Sequence, residues 1–182
     1  YDEPSRIVEL TVAQLQKLFD ATLSIPDRRF GVLIRLLAES GARRGEVLNR
    51  RWSEVDLEKR QIIVGKTKTG QPRVLFFSAT TSMMMLRVWA KREPGALLFG
   101  SEKAPGQPKR YNKPWAQVTK EAGLSGLRMT DLRHHRAKEL LASGVTIGVA
   151  SQALGHSSLI LQTRYGHLET ATTESAIQKS WG

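Results

Sequence analysis

The chain has 182 residues, 40% of them hydrophobic and 25% charged, with no cysteine and a formal net charge of +11. Such a chain buries a real core as one domain. It excludes disulfides, thiolate metal sites and a cysteine nucleophile, and it holds no apolar run near the ~20 residues of a membrane span. The charge is uneven: Arg28 to Lys138 holds 24 Lys and Arg against 9 Asp and Glu, whereas the flanks hold 4 against 8. A basic middle between acidic ends favours a polyanion partner, nucleic acid above all, over mixed solubility charge. The basic residues are not confined to one amphipathic helix, which disfavours a membrane surface.

In chain order, Glu9 to Phe19 reads as a helix with Thr11 as N-cap and Gln14 completing a capping box. Pro26 and Asp27 open a second helix, with Phe30, Leu33, Ile34 and Leu37 at helical spacing and Ser40-Gly41 as its stop. Both read as core scaffold. Gly41-Ala-Arg-Arg-Gly-Glu-Val-Leu48 follows as a turn into a short helix. Arginines at a helix start suit an anion, because free amides and guanidinium point the same way. An exposed helix start with Arg43 or Arg44 paired to Glu46 or Glu39 accounts for the same residues equally well.

Trp52 to Asp56 reads as a turn, followed by strands at Gln61–Val64 and Pro72–Phe77 joined by a hairpin with Gly70 as its turn residue. A helix is expected from Ala79 to Arg92, its methionines serving as core filler, with Glu93-Pro-Gly95 as its stop. Gly100 to Lys113 reads as a basic loop, and Pro114 suits the first turn of a helix ending at Gly123. Thr130 reads as the N-cap of a helix reaching Ser143-Gly144, with Asp131 in its first turn. Thr146 caps another that carries Val149, Ala153 and Leu154 and ends at Gly155, followed by a short helix toward Tyr165 and a weakly amphipathic tail. The fold class expected is mainly α with a small antiparallel β-sheet. Residues 1–182 make one domain in this reading, with 169–182 as a tail helix.

Several segments then act together: Gly41-Ala-Arg43-Arg-Gly-Glu46, Thr67-Lys68-Thr69-Gly70, Asp131-Leu-Arg133-His, Leu154-Gly-His156-Ser-Ser and Thr163-Arg-Tyr165-Gly-His167-Leu. In this order and spacing they resemble the catalytic domain of the tyrosine recombinases, the phage-integrase family, from about Leu10 to Leu168. The resemblance implies cutting and rejoining of double-stranded DNA through a 3′-phosphotyrosyl intermediate, with no metal and no nucleotide cofactor. It implies Tyr165 as nucleophile, Arg43 and Arg133 as clamps on the non-bridging phosphate oxygens, His156 as a further donor and Lys68 as the acid for the departing 5′-oxygen. Glu46 would orient Arg43, and His167 would help position Tyr165.

The family assembles as a tetramer on two duplexes, works with accessory DNA-bending proteins and carries an amino-terminal DNA-clamping domain. The start at Tyr1 is read as that of a fragment lacking such a domain, a monomer when isolated. A nucleoid-associated place in a bacterial or phage-infected cytoplasm goes with these expectations.

The chain departs from the family pattern at Thr130, where histidine is usual three residues before the second arginine. A threonine hydroxyl makes one hydrogen bond but takes no proton near neutral pH. An enzyme that relies on Arg43, Arg133, His156 and Lys68 is one outcome, and a DNA-binding module that does not cut is the other. His134 and His135 on the same helix read as structural histidines. A type IB topoisomerase shares the chemistry, but the short length and compact motifs argue against it.

Overall fold

The computed structural model describes residues 9–65, 72–104, 106–155, 161–163 and 166. Lys68, Gly70, His156, Tyr165, His167 and the tail expected at 169–182 lie outside the described residues. Helix α1 is Val12–Ala21, and its capping box is as expected: the Gln14 amide donates to Thr11 Oγ1 at 3.1 Å, and the Thr11 amide donates to Gln14 Oε1 at 2.8 Å.

Helix α2, Arg29–Ser40, is buried at Phe30, Gly31, Val32, Leu33, Ile34, Leu36, Leu37 and Ala38. A helix apolar on so many sides belongs at the centre of a fold, and α1, α3, α4, α6 and the third strand all pack on it. It ends at Gly41, whose φ of 61° is the left-handed conformation that glycine adopts without strain.

The short α3, Arg44–Leu48, leads through a 3-10 turn at Trp52–Glu54 into β1, Val55–Asp56. The turn expected at 52–56 therefore ends in a two-residue strand, because Val55 pairs with Ile62 and Asp56 with Gln61. Strands β2 (Gln61–Val64) and β3 (Arg73–Phe76) pair antiparallel, and the sheet runs β1-β2-β3. Ile62 and Leu75, cross-strand partners, are buried, while Ile63 and Phe76 face outward.

Helix α4 is Ala79–Val88, capped by Ser78 and by Glu39, whose carboxylate accepts the Ser78 amide at 2.8 Å. The helix expected to reach Arg92 stops four residues earlier. Trp89 turns extended so that its indole packs edge-on against Phe99 and its Nε1 donates to the Leu98 carbonyl at 3.0 Å. Of the α4 methionines, Met85 fills the core as expected, but Met83 and also Leu86 are exposed.

The ring series continues from Phe99 to Tyr111 and from Tyr111 to Phe30, fastening the 97–111 loop onto α2. The Tyr111 hydroxyl meets Asp27 Oδ2 at 3.1 Å, and Asp27 also pairs with Arg29 at 2.8 Å and Lys109 at 2.7 Å. Burial alone would raise the Asp27 carboxyl, but hydrogen bonds from Arg29 and Lys109 outweigh it and hold the group well below the usual carboxylate range. Burial and Asp27 together push the Tyr111 phenol up.

Helix α5 is Asn112–Glu121 and α6 is Met129–Ala142. Between them, Trp115 Nε1 donates to the Leu127 carbonyl at 2.8 Å. Helix α7, Ile147–Leu154, starts at Thr146, whose Oγ1 accepts the Val149 amide at 3.4 Å, and ends at Gly155 with φ 64°. It buries Ile147, Ala150, Ser151 and Leu154, while Val149 stays exposed. Ala137, Leu141, Ile147, Ala150, Leu154 and Leu161 form a smaller second core. Among the described residues no helix is long and apolar enough to cross a membrane. The expected class holds: mainly helical, with one small antiparallel sheet.

Candidate active site

Three helix ends meet where α2 gives way to α3, and the predicted arginines come together there. Gly41 lets the chain turn sharply out of α2, and a Cβ at that position would run into Leu154 Cδ2 and stand 3.2 Å from Arg136 Cγ. The glycine thus serves both the left-handed exit and the close seating of α7. Its carbonyl accepts a hydrogen bond of 2.7 Å from Nη1 of Arg133, a buried residue of α6. A guanidinium on the carbonyl end of a helix satisfies an orphan acceptor and the negative dipole end together.

Arg43 stands two residues beyond Gly41. Its Nη2 donates to the Gly155 carbonyl at 3.2 Å and its Nη1 to Glu46 Oε1 at 3.1 Å. Glu46 Oε2 also accepts the Arg43 amide at 2.8 Å, so one carboxylate fixes both the backbone and the head of this arginine. The Arg43 side chain nevertheless keeps 51% of its surface exposed, against 13% for Glu46. It is a cation pinned on one side and open on the other. Arg44 is turned away and donates to Asn112 Oδ1 at 3.0 Å. Of the two arginines in the motif, only Arg43 reaches the α7 terminus.

Thr130 is not the helix cap. Asp131 Oδ2 accepts the Arg128 amide at 2.8 Å, so the helix starts at Met129, whose side chain is buried, and Thr130 is its exposed second residue. Thr130 and Arg133, three apart, share a helix face. His135 lies elsewhere on α6, buried, with Nε2 3.4 Å from Glu139 Oε1. It does not replace an imidazole at position 130. His134 is half-buried one turn beyond Thr130.

Arg73, read in the sequence only as part of a strand, joins the same junction. It is buried at the start of β3, its Nη1 donates to the Leu154 carbonyl, and its Nη2 stands 3.6 Å from Glu46 Oε2. Burial pulls its guanidinium below the ordinary value, Glu46 opposes this, and Arg43 adds to it. A signal was available: Arg73, Leu75 and Phe77 alternate on the buried side of the strand, and an arginine at an inward position requires specific partners. Among the described residues no group of three His, Asp or Glu side chains converges as metal ligands would. Lys68 lies on the connection between β2 and β3, and His156 directly follows Gly155 in the chain.

The phage integrase family profile matches residues 8–172. The tyrosine recombinase XerA of Saccharolobus solfataricus is 29% identical over 155 residues, covering 85% of this chain and 50% of the relative. The chain spans about half that relative's length. Among solved structures, the catalytic domain of bacteriophage HP1 integrase superposes with a TM-score of 0.72 at 20% identity, covering 94% of each chain. The Tn1549 transposon integrase, in complex with circular intermediate DNA, superposes with a TM-score of 0.76 at 19% identity, covering 98% of this chain and 68% of the other. These last two likenesses are of fold. Since the family profile takes in nearly the whole chain, from before α1 to beyond Tyr165, the protein belongs to the phage integrase family.

Proposed function

We propose that this chain is the strand-cutting and rejoining part of a site-specific DNA recombinase. The observation that carries this reading is Arg43, half-exposed yet held by Glu46 and the Gly155 carbonyl beside the Arg133–Gly41 bond. In the reaction Tyr165 attacks the scissile phosphate, forming a 3′-phosphotyrosyl bond and releasing a 5′-hydroxyl. Negative charge builds on the equatorial oxygens in the transition state, so guanidinium groups fixed in advance are worth more there than in the ground state. Arg43 and Arg133 supply them, with His156 as a further donor. Lys68 protonates the departing 5′-oxygen, and Glu46 orients Arg43. A phenol with an ordinary pKa of about 10 needs the positive field of these groups to attack near neutrality.

Thr130 offers a hydroxyl where an imidazole would share that work, and His167 helps to place Tyr165. The phosphotyrosyl bond retains the energy of the broken phosphodiester, so rejoining needs no nucleotide. Duplex DNA is the partner in this reading, which the complex of the Tn1549 integrase with circular intermediate DNA supports, and the acting form is a tetramer on two duplexes, assisted by DNA-bending proteins. The test uses a nicked duplex bearing the attachment site of the encoding element. The wild-type chain should form a covalent adduct, and Tyr165→Phe should lose it while keeping salt-sensitive binding. Binding without any adduct, in both wild type and Thr130→His, would establish a silent DNA-binding module instead.

A further inference from the structure

We propose that Arg73 is a positioning residue for strand cleavage, holding the end of α7 and Glu46 in the arrangement that aims Arg43. The inference rests on the recombinase reading above and concerns a buried residue. Five groups form a closed ring. Arg73 bonds the Leu154 carbonyl, and the next carbonyl, Gly155, takes Arg43. Arg43 bonds Glu46, and Glu46 returns to Arg73 at 3.6 Å. Two successive carbonyls at the α7 terminus are therefore each occupied by an arginine, one from β3 and one from the α2–α3 turn.

Gly155 shows how tightly Arg73 is seated. A Cβ there would collide with Arg73 Nη1 and stand 3.1 Å from its Cδ, and the residue also takes φ 64°. The exit of the chain from α7 toward His156 is thus packed directly on the Arg73 side chain. Stability alone is a weak reason for this guanidinium. Its side chain is 6% exposed, and among the described residues neither Nε nor Nη2 has a hydrogen-bond partner. A buried cation so thinly satisfied costs more than an apolar chain of similar volume. What an apolar chain cannot do is hold the Leu154 carbonyl and steady Glu46 at once.

Without Arg73, Glu46 is free to follow Arg43 and the Leu154 carbonyl loses its donor. A misplacement on the order of 1 Å at a reacting group costs roughly 100-fold in rate. Lysine keeps the charge but has no fork to reach both partners.

The experiment measures the single-turnover rate of adduct formation at saturating protein, duplex affinity by fluorescence anisotropy, and the Arg43 Nε–Hε resonance of the free protein by 15N NMR. Arg73→Met should slow adduct formation about 10- to 100-fold with affinity changed less than about threefold, and should move the Arg43 resonance. Arg73→Lys should recover part of the rate. Arg73→Met combined with Glu46→Gln should lose little more than the worse single variant, because both break the same ring. An unmoved Arg43 resonance, a wild-type rate in either Arg73 variant, or rate and affinity falling together with the folded fraction would overturn the proposal. If Arg73→Met does not fold, the resonance and rate of Arg73→Lys decide the matter. The resonance tests the positioning even if wild type forms no adduct, an outcome that would count against the recombinase reading alone.

Discussion

The two ends of α2 both gather charge, and they do so differently. At the amino-terminal end Asp27 and Glu102 meet Arg29 and Lys109, cation for carboxylate, and the Tyr111 hydroxyl fills a remaining contact on Asp27. At the carboxyl-terminal end Arg43, Arg73 and Arg133 share Glu46 and three backbone carbonyls. Carbonyl dipoles orient guanidinium groups without neutralising them. The first arrangement closes on itself and fastens a loop. Among the described residues the second sets one carboxylate, Glu46, against both Arg43 and Arg73 and leaves Arg43 open on one side, an arrangement that suits a phosphate. Charge balance at a junction, more than the presence of charged residues, separates a structural cluster from one able to bind an anion.

The sharpest way to break this contrast is to remove the open cation. Arg43→Ala should lower the rate of covalent adduct formation by roughly 100- to 1,000-fold, the usual loss for one preorganised donor in such a site. Its melting curve should change little, since the side chain is half-exposed. A cleavage rate within a few-fold of wild type would mean that the junction is structural, like its counterpart.

The opposite pattern is expected at Asp27. Asp27→Asn leaves Arg29 and Lys109 facing a neutral amide and should cost about 2–3 kcal/mol of stability, reduced from the value for a fully buried pair because Lys109 is partly exposed. Cleavage per folded molecule should be unchanged. The pH dependence follows from the depressed carboxyl of Asp27. Its contribution is fully present above the unfolded carboxylate pKa of about 3.9 and is lost as pH falls below that value toward the folded one. Urea titrations from pH 6 down to 3 should show stability dropping below about pH 4 in wild type, and a flatter profile in Asp27→Asn. Equal slopes in the two proteins would contradict the pairing.

The smallest expected effect is at Thr130. Exposed on the first turn of α6 and on the Arg133 face, it tolerates Thr130→His within about 0.5 kcal/mol of stability. An imidazole there should raise adduct formation several-fold near neutral pH. No gain would show that the remaining groups already supply the proton transfer.

The end of α2 also shows which parts of the molecule short stretches of chain carry. The Thr11–Gln14 capping box, the helical spacing from Phe30 to Leu37, the glycine stops at 41 and 155 and the β2–β3 hairpin depend on contacts within a few residues. They are legible for that reason. The association of Glu46 with Arg43 is of the same kind, three residues apart. The start of α6 differs from the one expected: Thr130 is a good cap by type, but the reach of Asp131 back to the Arg128 amide and the burial of Met129 move the boundary. The early stop of α4 had a longer-range cause, since Trp89 leaves the helix to join Phe99 and Leu98.

By itself, then, the sequence determined the class of fold and the order of the elements, because periodicity and caps are local properties of the chain, and the likeness of its motifs to the family singled out Arg43 and Arg133 as candidates. Tertiary structure alone decided that Arg44 turns away to Asn112, that Arg73 lies buried beneath the end of α7, and that a single carboxylate serves two arginines. The partner of Arg73 on α7 is 81 residues distant along the chain. No local pattern specifies such a contact, which exists only once the central helix has drawn its neighbours together.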